Sequence, residues 1–340
     1  MSDLILENKL QQINEKYFDC YSRMKTHLKT NHLEDIRILY PWYTDHGIKH
    51  TEAILCTLGD MIAPVYSEFD VRNESLRKGD IPSALSNEDV FVLLSAALWH
   101  DVGMLISRGD HARHLIKYSG EIKLFTSDDK VTQTIYDIAC AHGSNKKFED
   151  CTNFIPLNFY GKDVEVSKKT LAALLRIADE ISEDDSRITK SNEVFSKIPN
   201  ENKIFWEHAA AISYSKYKNN RIVIKYAVDI DKAFKRYEFQ NGKQKTMTLY
   251  MFIINRICKI INEMIVCAPY FSTICRVDAL NVTIELQKQK DWVCIEKVDE
   301  ISQDIRPFVV TDTDTGKLCD RFFELYKSFK PDEIKRKIGR

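Results

Sequence analysis

A histidine and an aspartate stand side by side at the end of an apolar run: Val90 to Trp99, then His100 and Asp101, continued by Val102-Gly103-Met104. Burying an unpaired carboxylate is costly, so an apolar segment that finishes on two metal-capable side chains implies that something binds there. Upstream lies Thr44-Asp45-His46-Gly47-Ile48-Lys49-His50, and downstream Leu174-Leu175-Arg176-Ile177-Ala178-Asp179-Glu180. If Thr44 or Asp45 caps a helix, His46 and His50 fall four residues apart on one face, about one turn or ~5.4 Å of rise. Either could hold a metal, and so could both. His100 and Asp101, as neighbours, do not share a helix face and would serve one ion only at a bend or a helix end. Imidazole mixed with carboxylate suits Mn, Fe, Ni, Co or Zn, whereas a dedicated Mg site favours an all-oxygen shell.

Six of the nine histidines lie between residues 46 and 142, with His111, His114 and His142 interleaved among the motifs. His27, His32 and His208 stand apart from them and read as satisfied structural or surface residues. Lys146-Lys147 reads as a solvated pair, although it could meet phosphate oxygens, and Arg187 as a salt-bridged surface residue.

These side chains need elements to hold them. Apolar residues recur at helical intervals in Leu6–Met24, Ile54–Met61, Val90–Trp99, Ile116–Phe125, Val131–Ala141 and Thr170–Ile181. Joints at Arg72–Asn87, Ser107–Asp110 and Ser144–Asp163 separate them, the last long enough for a flap or irregular excursion. After about Phe195 the pattern changes. Alternation at Ala210, Ile212 and Tyr214, and again over Arg221–Ile230, predicts two strands joined through Lys218-Asn219-Asn220. A helix over Thr246–Val266 follows, then paired strands at Asn281–Gln287 and Asp291–Lys297, and a closing helix at Lys317–Ser328. The Thr311-Asp312-Thr313-Asp314 run reads as a turn and helix cap. The expected fold class is mainly α, a helical domain over residues 1–195 followed by a smaller α+β region over 196–340, packed on it.

With 44% apolar and 29% charged residues the chain can bury a sizeable core, and its net charge of −1 provides no global basic field for nucleic acid. The basic residues Lys232, Lys235, Arg236, Lys243 and Lys245 read as a solvated helix–turn face. The nine cysteines show no CxxC pair, which predicts reduced, packed thiols in a cytoplasmic protein. The N-terminus carries no signal-peptide pattern, and charged residues interrupt the apolar stretch Met251–Phe271, so no membrane span is expected.

The ordered motifs together, His50, then His100-Asp101, then Asp179, resemble the HD-domain superfamily of metal-dependent phosphohydrolases. Tyr43–His50, Ala97–Met104 and Leu174–Glu180 look like a bacterial branch often found ahead of GHKL-type ATPase modules, the chaperone and gyrase kind. The resemblance implies an HD-type helical bundle in which His50, His100, Asp101 and Asp179 are ligands of a divalent metal (Mn, Fe, Ni, Co, Zn or Mg). His46 is either a further ligand or a group that orients the site. It also implies that His111 and His142 hold a second metal or donate a proton. No Asp-x-Gly-x-Gly or Gly-rich ATP lid follows, and the Gly-Tyr-Pro signature of cyclic-di-GMP-degrading relatives is missing after His142.

The expected activity is hydrolysis of a phosphomonoester, triphosphate or phosphodiester bond in a nucleotide or related phosphate ester, in a pocket between the helices. The alternatives are a nucleotide- or metal-sensing module that regulates a partner ATPase, and a metal-dependent nuclease. The expected partners are thus the phosphate-ester substrate, a partner protein and a second copy of the chain.

Overall fold

The helix Asn87–Trp99 is apolar on every side, and every residue from Glu88 to Trp99 is buried. A helix without a polar face belongs at the centre of a bundle. In the computed structural model the helices Glu15–Leu28, Ile48–Glu68, Asp129–Ala141 and Lys168–Ile181 surround it. The described residues are 4–68, 77–78, 81–82, 84–143, 145–241, 243–308 and 315–339. The Thr311–Asp314 turn, half of the Arg72–Asn87 joint, Ser144 and the side chain of Lys243 lie outside what is described.

The chain forms two compact units. The first comprises 1–40, 46–182 and 267–276, and the second 41–45, 183–266 and 277–340. The fold is mainly α, a helical bundle followed by a smaller region that contains a sheet.

One contact in the first unit sets the geometry of two helices at once. Ser86 and Asp89 form a capping box at the start of Asn87–Trp99. The other carboxylate oxygen of Asp89 accepts a 2.7 Å bond from the backbone N–H of Ser167, the residue that opens Lys168–Ile181. The two helices therefore start at a shared clamp and run in the same direction. At 1.5 Å per residue, His100 lies about 21 Å from Ser86 and Asp179 about 18 Å from Ser167, so both ends reach one level.

The Ser144–Asp163 joint contains structure of its own. A hairpin, Ile155–Phe159 with Lys162–Val166, turns at Tyr160 and Gly161, both with positive φ. Its Pro156 and polar outer face hid it from the alternation rule.

In the second unit a four-stranded sheet runs in the order Val293–Ile305, Ala279–Lys290, Arg221–Asp229, Ile212–Lys218. The two central strands are parallel and the outer pairs antiparallel. Ile222, Ile224, Tyr226 and Val228 face inward on one central strand, and Leu280, Val282, Ile284 and Leu286 on the other. Asn219 and Asn220 adopt positive φ in the tight turn at Lys218–Arg221, a conformation Asn tolerates well. Ala210 belongs to the helix Asn200–Ala211, and its strand starts only at Ile212. The basic segment after Lys232 is a hairpin, Arg236–Asn241 with Lys243–Thr248, rather than a helix–turn face. Arg187 is buried rather than on the surface; its Nη1 lies 3.4 Å from Glu183, and its Nε donates to the Asp45 carbonyl at 2.8 Å. No helix among the described residues is long and apolar enough to cross a membrane.

Candidate metal centre

The helix Asn87–Trp99 ends at Trp99, with His100 as its C-cap and Asp101 opening the short 3-10 turn Val102–Leu105. That break lets two sequence neighbours face one point. The helix Ile48–Glu68 contributes His50 near its start. His46 precedes that helix instead of sharing its face, because the helix begins at Ile48 and not at Thr44 or Asp45. Asp179 comes from the last turn of Lys168–Ile181, His111 from the short helix His111–His114, and His142 from the C-cap of Asp129–Ala141.

All seven side chains converge. The two oxygens of Asp101 face different partners. Oδ2 lies 2.9 Å from His46 Nδ1, 3.3 Å from His100 Nε2 and 3.8 Å from His50 Nε2. Oδ1 lies 3.3 Å from His111 Nε2 and 3.7 Å from His142 Nε2. Asp179 Oδ1 completes the first group, at 3.1 Å from His50 Nε2 and 4.0 Å from His100 Nε2. Of the two histidines in Asp110–His114, His111 is the one that reaches Asp101.

The ring orientations show that a cation fits. Nδ1 of His100 bonds the carbonyl of Ala97 at 2.8 Å, Nδ1 of His111 that of Arg108 at 2.9 Å, and Nδ1 of His142 that of Ala139. A carbonyl only accepts, so each Nδ1 carries a proton, and in the neutral ring each Nε2 turns a lone pair inward. Inward-facing lone pairs beside two carboxylates repel one another unless positive charge lies between them. Nε2 of His100 is buried and has no hydrogen-bond partner. Nε2 of His111 and His142 are 2.9 Å apart, close to the ~3 Å of adjacent nitrogens at ~2.1 Å on an octahedral ion and shorter than the ~3.4 Å of a tetrahedral one.

The ionisation of the centre agrees. Burial alone would raise the Asp101 carboxyl, but His100 and His46 overcome it and hold it well below the usual carboxylate range. Asp179 is lowered in the same way, with His50 outweighing burial. Burial pulls His100 down, yet the Asp101 and Asp179 carboxylates raise it to about 9. His142 falls to about 4, from burial and then from the charges on His100 and His111. The carboxylates favour positive charge among the rings, as a proton on His100 or as a metal ion, and His142 remains neutral as a metal ligand must be.

A family model described as HD-CE matches residues 40–238, more than half of the chain and spanning every one of these side chains. The chain belongs to the HD-CE family. Comparison with curated proteins and with solved structures finds no match.

Three further residues shape this HD-CE centre that residue-type reasoning alone did not mark. Gly103 follows the His-Asp pair, and a Cβ there would lie 1.9 Å from the carbonyl oxygen of His111. Only glycine allows the His111 turn to approach that closely. Arg176 is buried; it donates to the Ala141 carbonyl at 2.9 Å and to Asn145 Oδ1 at 2.8 Å, pinning the chain on both sides of His142. Asp89 sets the helix starts described above. Chain pattern reveals Gly103, which lies within the motif, whereas Arg176 and Asp89 act through contacts with residues distant in sequence.

Proposed function

We propose that this chain is a metal-dependent phosphohydrolase acting on a nucleotide or related phosphate ester, with Asp101 shared between two metal-binding halves of one centre. The observation that carries this reading is the division of the Asp101 carboxylate, Oδ2 toward His50 and His100 and Oδ1 toward His111 and His142. His50, His100 and Asp179 would hold one ion with Asp101 Oδ2, and His111 and His142 a second with Oδ1. His46 Nδ1, at 2.9 Å from Oδ2, orients the carboxylate.

A divalent metal supplies an acidified water at neutral pH and neutralises charge on the phosphoryl oxygens. The protein contributes preorganisation. Carbonyl bonds fix the orientation of three rings, and burial in the bundle keeps the Asp101 carboxylate from being satisfied by bulk water. The proton-donating role and the metal-holding role separate by environment. The side chain of His142 is 4% exposed and held neutral, which suits a ligand. The side chain of His111 is 23% exposed, so where it does not hold a metal it would instead pass a proton between solvent and a leaving oxygen.

The test is a screen of nucleotides and simple phosphate esters with Mn, Mg, Ni and Co, reading products by mass. The reading expects a hydrolysed product from the parent chain and none from Asp101→Ala. Tight nucleotide binding without turnover under any of these metals would overturn it, in favour of a sensing module that signals to a partner such as an ATPase.

A further inference from the structure

Away from this centre, His27, His32 and Glu121 of the first unit also bring three ligand atoms together, all within 4.8 Å of one another. His27 lies in the last turn of Glu15–Leu28, and His32 in the π-helical turn Lys29–Leu33 that follows it. On a regular α-helix residues five apart point about 140° away from each other. The π turn, with i→i+5 bonding, gathers them onto one face, and such turns cluster at functional sites. Without it, His32 could not join His27 on Glu121.

The geometry is focused on a single oxygen. Nε2 of His27 lies 2.9 Å and Nε2 of His32 2.7 Å from the same Glu121 Oε2. Aromatic neighbours hold both rings: Phe125 lies 5.4 Å from His27, and Tyr118 packs edge-on 5.3 Å from His32. The three side chains are 29%, 13% and 33% exposed, so the cluster opens to solvent on one side. His27 also lines a groove of about 820 Å³ shared with Lys16, Arg23 and Tyr160, which offers an entry path.

We propose that His27, His32 and Glu121 form a transition-metal site independent of the Asp101 centre. Two imidazoles and one carboxylate with an open side are the donor set zinc takes when it keeps a position for water. As the rings stand, His27 donates from Nε2 to Glu121 and accepts at Nδ1 from the Asn31 amide, 3.1 Å away. Metal binding moves the ring proton of His27 from Nε2 to Nδ1. Asn31 then turns its amide over so that its Oδ1 accepts a hydrogen bond from that Nδ1–H, giving up its 2.9 Å bond to the His27 carbonyl. The alternative is a hydrogen-bonded staple in which Glu121 only ties the two rings together.

Zinc alone, added to the full chain, separates these possibilities. Bound zinc is counted after desalting for the parent, His32→Gln and Glu121→Gln. Each variant should bind one equivalent fewer than the parent, with its helical circular dichroism unchanged. Equal zinc in all three would mean a hydrogen-bonded staple only. If the variants fail to fold, ring ¹⁵N spectra of the histidine-labelled parent decide the matter. The proposal expects zinc to remove the Nε2 protons of His27 and His32; protons retained at saturating zinc would overturn it.

Discussion

Asp101 lies where the demands on single side chains are greatest. Its carboxylate must stay ionised while buried, and His100 and His46 accomplish this from one side while His111 and His142 face the other oxygen. His111 and His142 are therefore the residues whose loss should separate the two halves of the centre. Replacing either with Gln should lower phosphate-ester turnover by on the order of 10²–10⁴-fold, while a first metal equivalent stays bound through His50, His100 and Asp179. Metal content measured alongside turnover checks this, and full activity in both variants would return catalysis to the four remaining ligands. The residue types that converge were legible in the sequence because metal coordination would accept few side chains, and the order His, His-Asp, Asp is distinctive. The helix start at Ile48 was not, because Thr44 and Asp45 look like caps in isolation. The cluster at His27 and His32 was hidden by its five-residue spacing, which signals a shared face only if a π turn is already known.

The elements carry those side chains by their ends. The helices that bear His100 and Asp179 start at the Asp89 clamp and finish at the centre, so the clamp sets their register. Burial pushes the Asp89 carboxyl up to about 6, against the lowering influence of the Ser167 and Ser86 bonds. Asp89→Ala leaves the Ser86 Oγ cap in place but removes the acceptor of the Ser86 and Ser167 backbone N–H groups, and should cost ~1–3 kcal/mol, the cost of a buried donor left unpaired; denaturant unfolding measures it, and a loss below about 0.5 kcal/mol would refute the clamp. Gly103→Ala acts at the other end. Its methyl group would meet the His111 carbonyl at 1.9 Å, so the His111 turn must move away. The variant should lose turnover much as His111→Gln does while keeping the first metal, and unchanged kinetics would contradict the close-approach account. Long, strongly periodic helices were legible from sequence, whereas the hairpin Ile155–Phe159 with Lys162–Val166 was not. Its strands pair chiefly with each other, and Tyr160 takes the positive φ usually given to Asn or Gly.

At the scale of the whole molecule, the second unit carries a response to acid of its own. In the second unit, His208 lies buried against Phe252 and Tyr226, with Nδ1 3.7 Å from Glu183. Burial, helped by Arg256 and Arg187 and opposed by Glu183, lowers it to about 4 from an ordinary 6.5. The unfolded chain therefore takes up this proton first, so the contribution is complete above pH 6.5 and lost as pH falls toward 4. The loss amounts to about 3 kcal/mol. Hydrogen exchange in the strand Arg221–Asp229 should show this acid slope in the parent and not in His208→Gln; equal slopes would refute it. The central claim, that Asp101 joins two metal ions in one centre, is tested most directly by electron paramagnetic resonance of the manganese-loaded chain. Two ions about 3.5–4 Å apart, as in two-metal sites, give an exchange-coupled spectrum, and an ion at His27 and His32 gives a separate uncoupled one. The account predicts a coupled signal in the parent that disappears in His142→Gln; a parent spectrum showing only isolated manganese ions at full loading would contradict it.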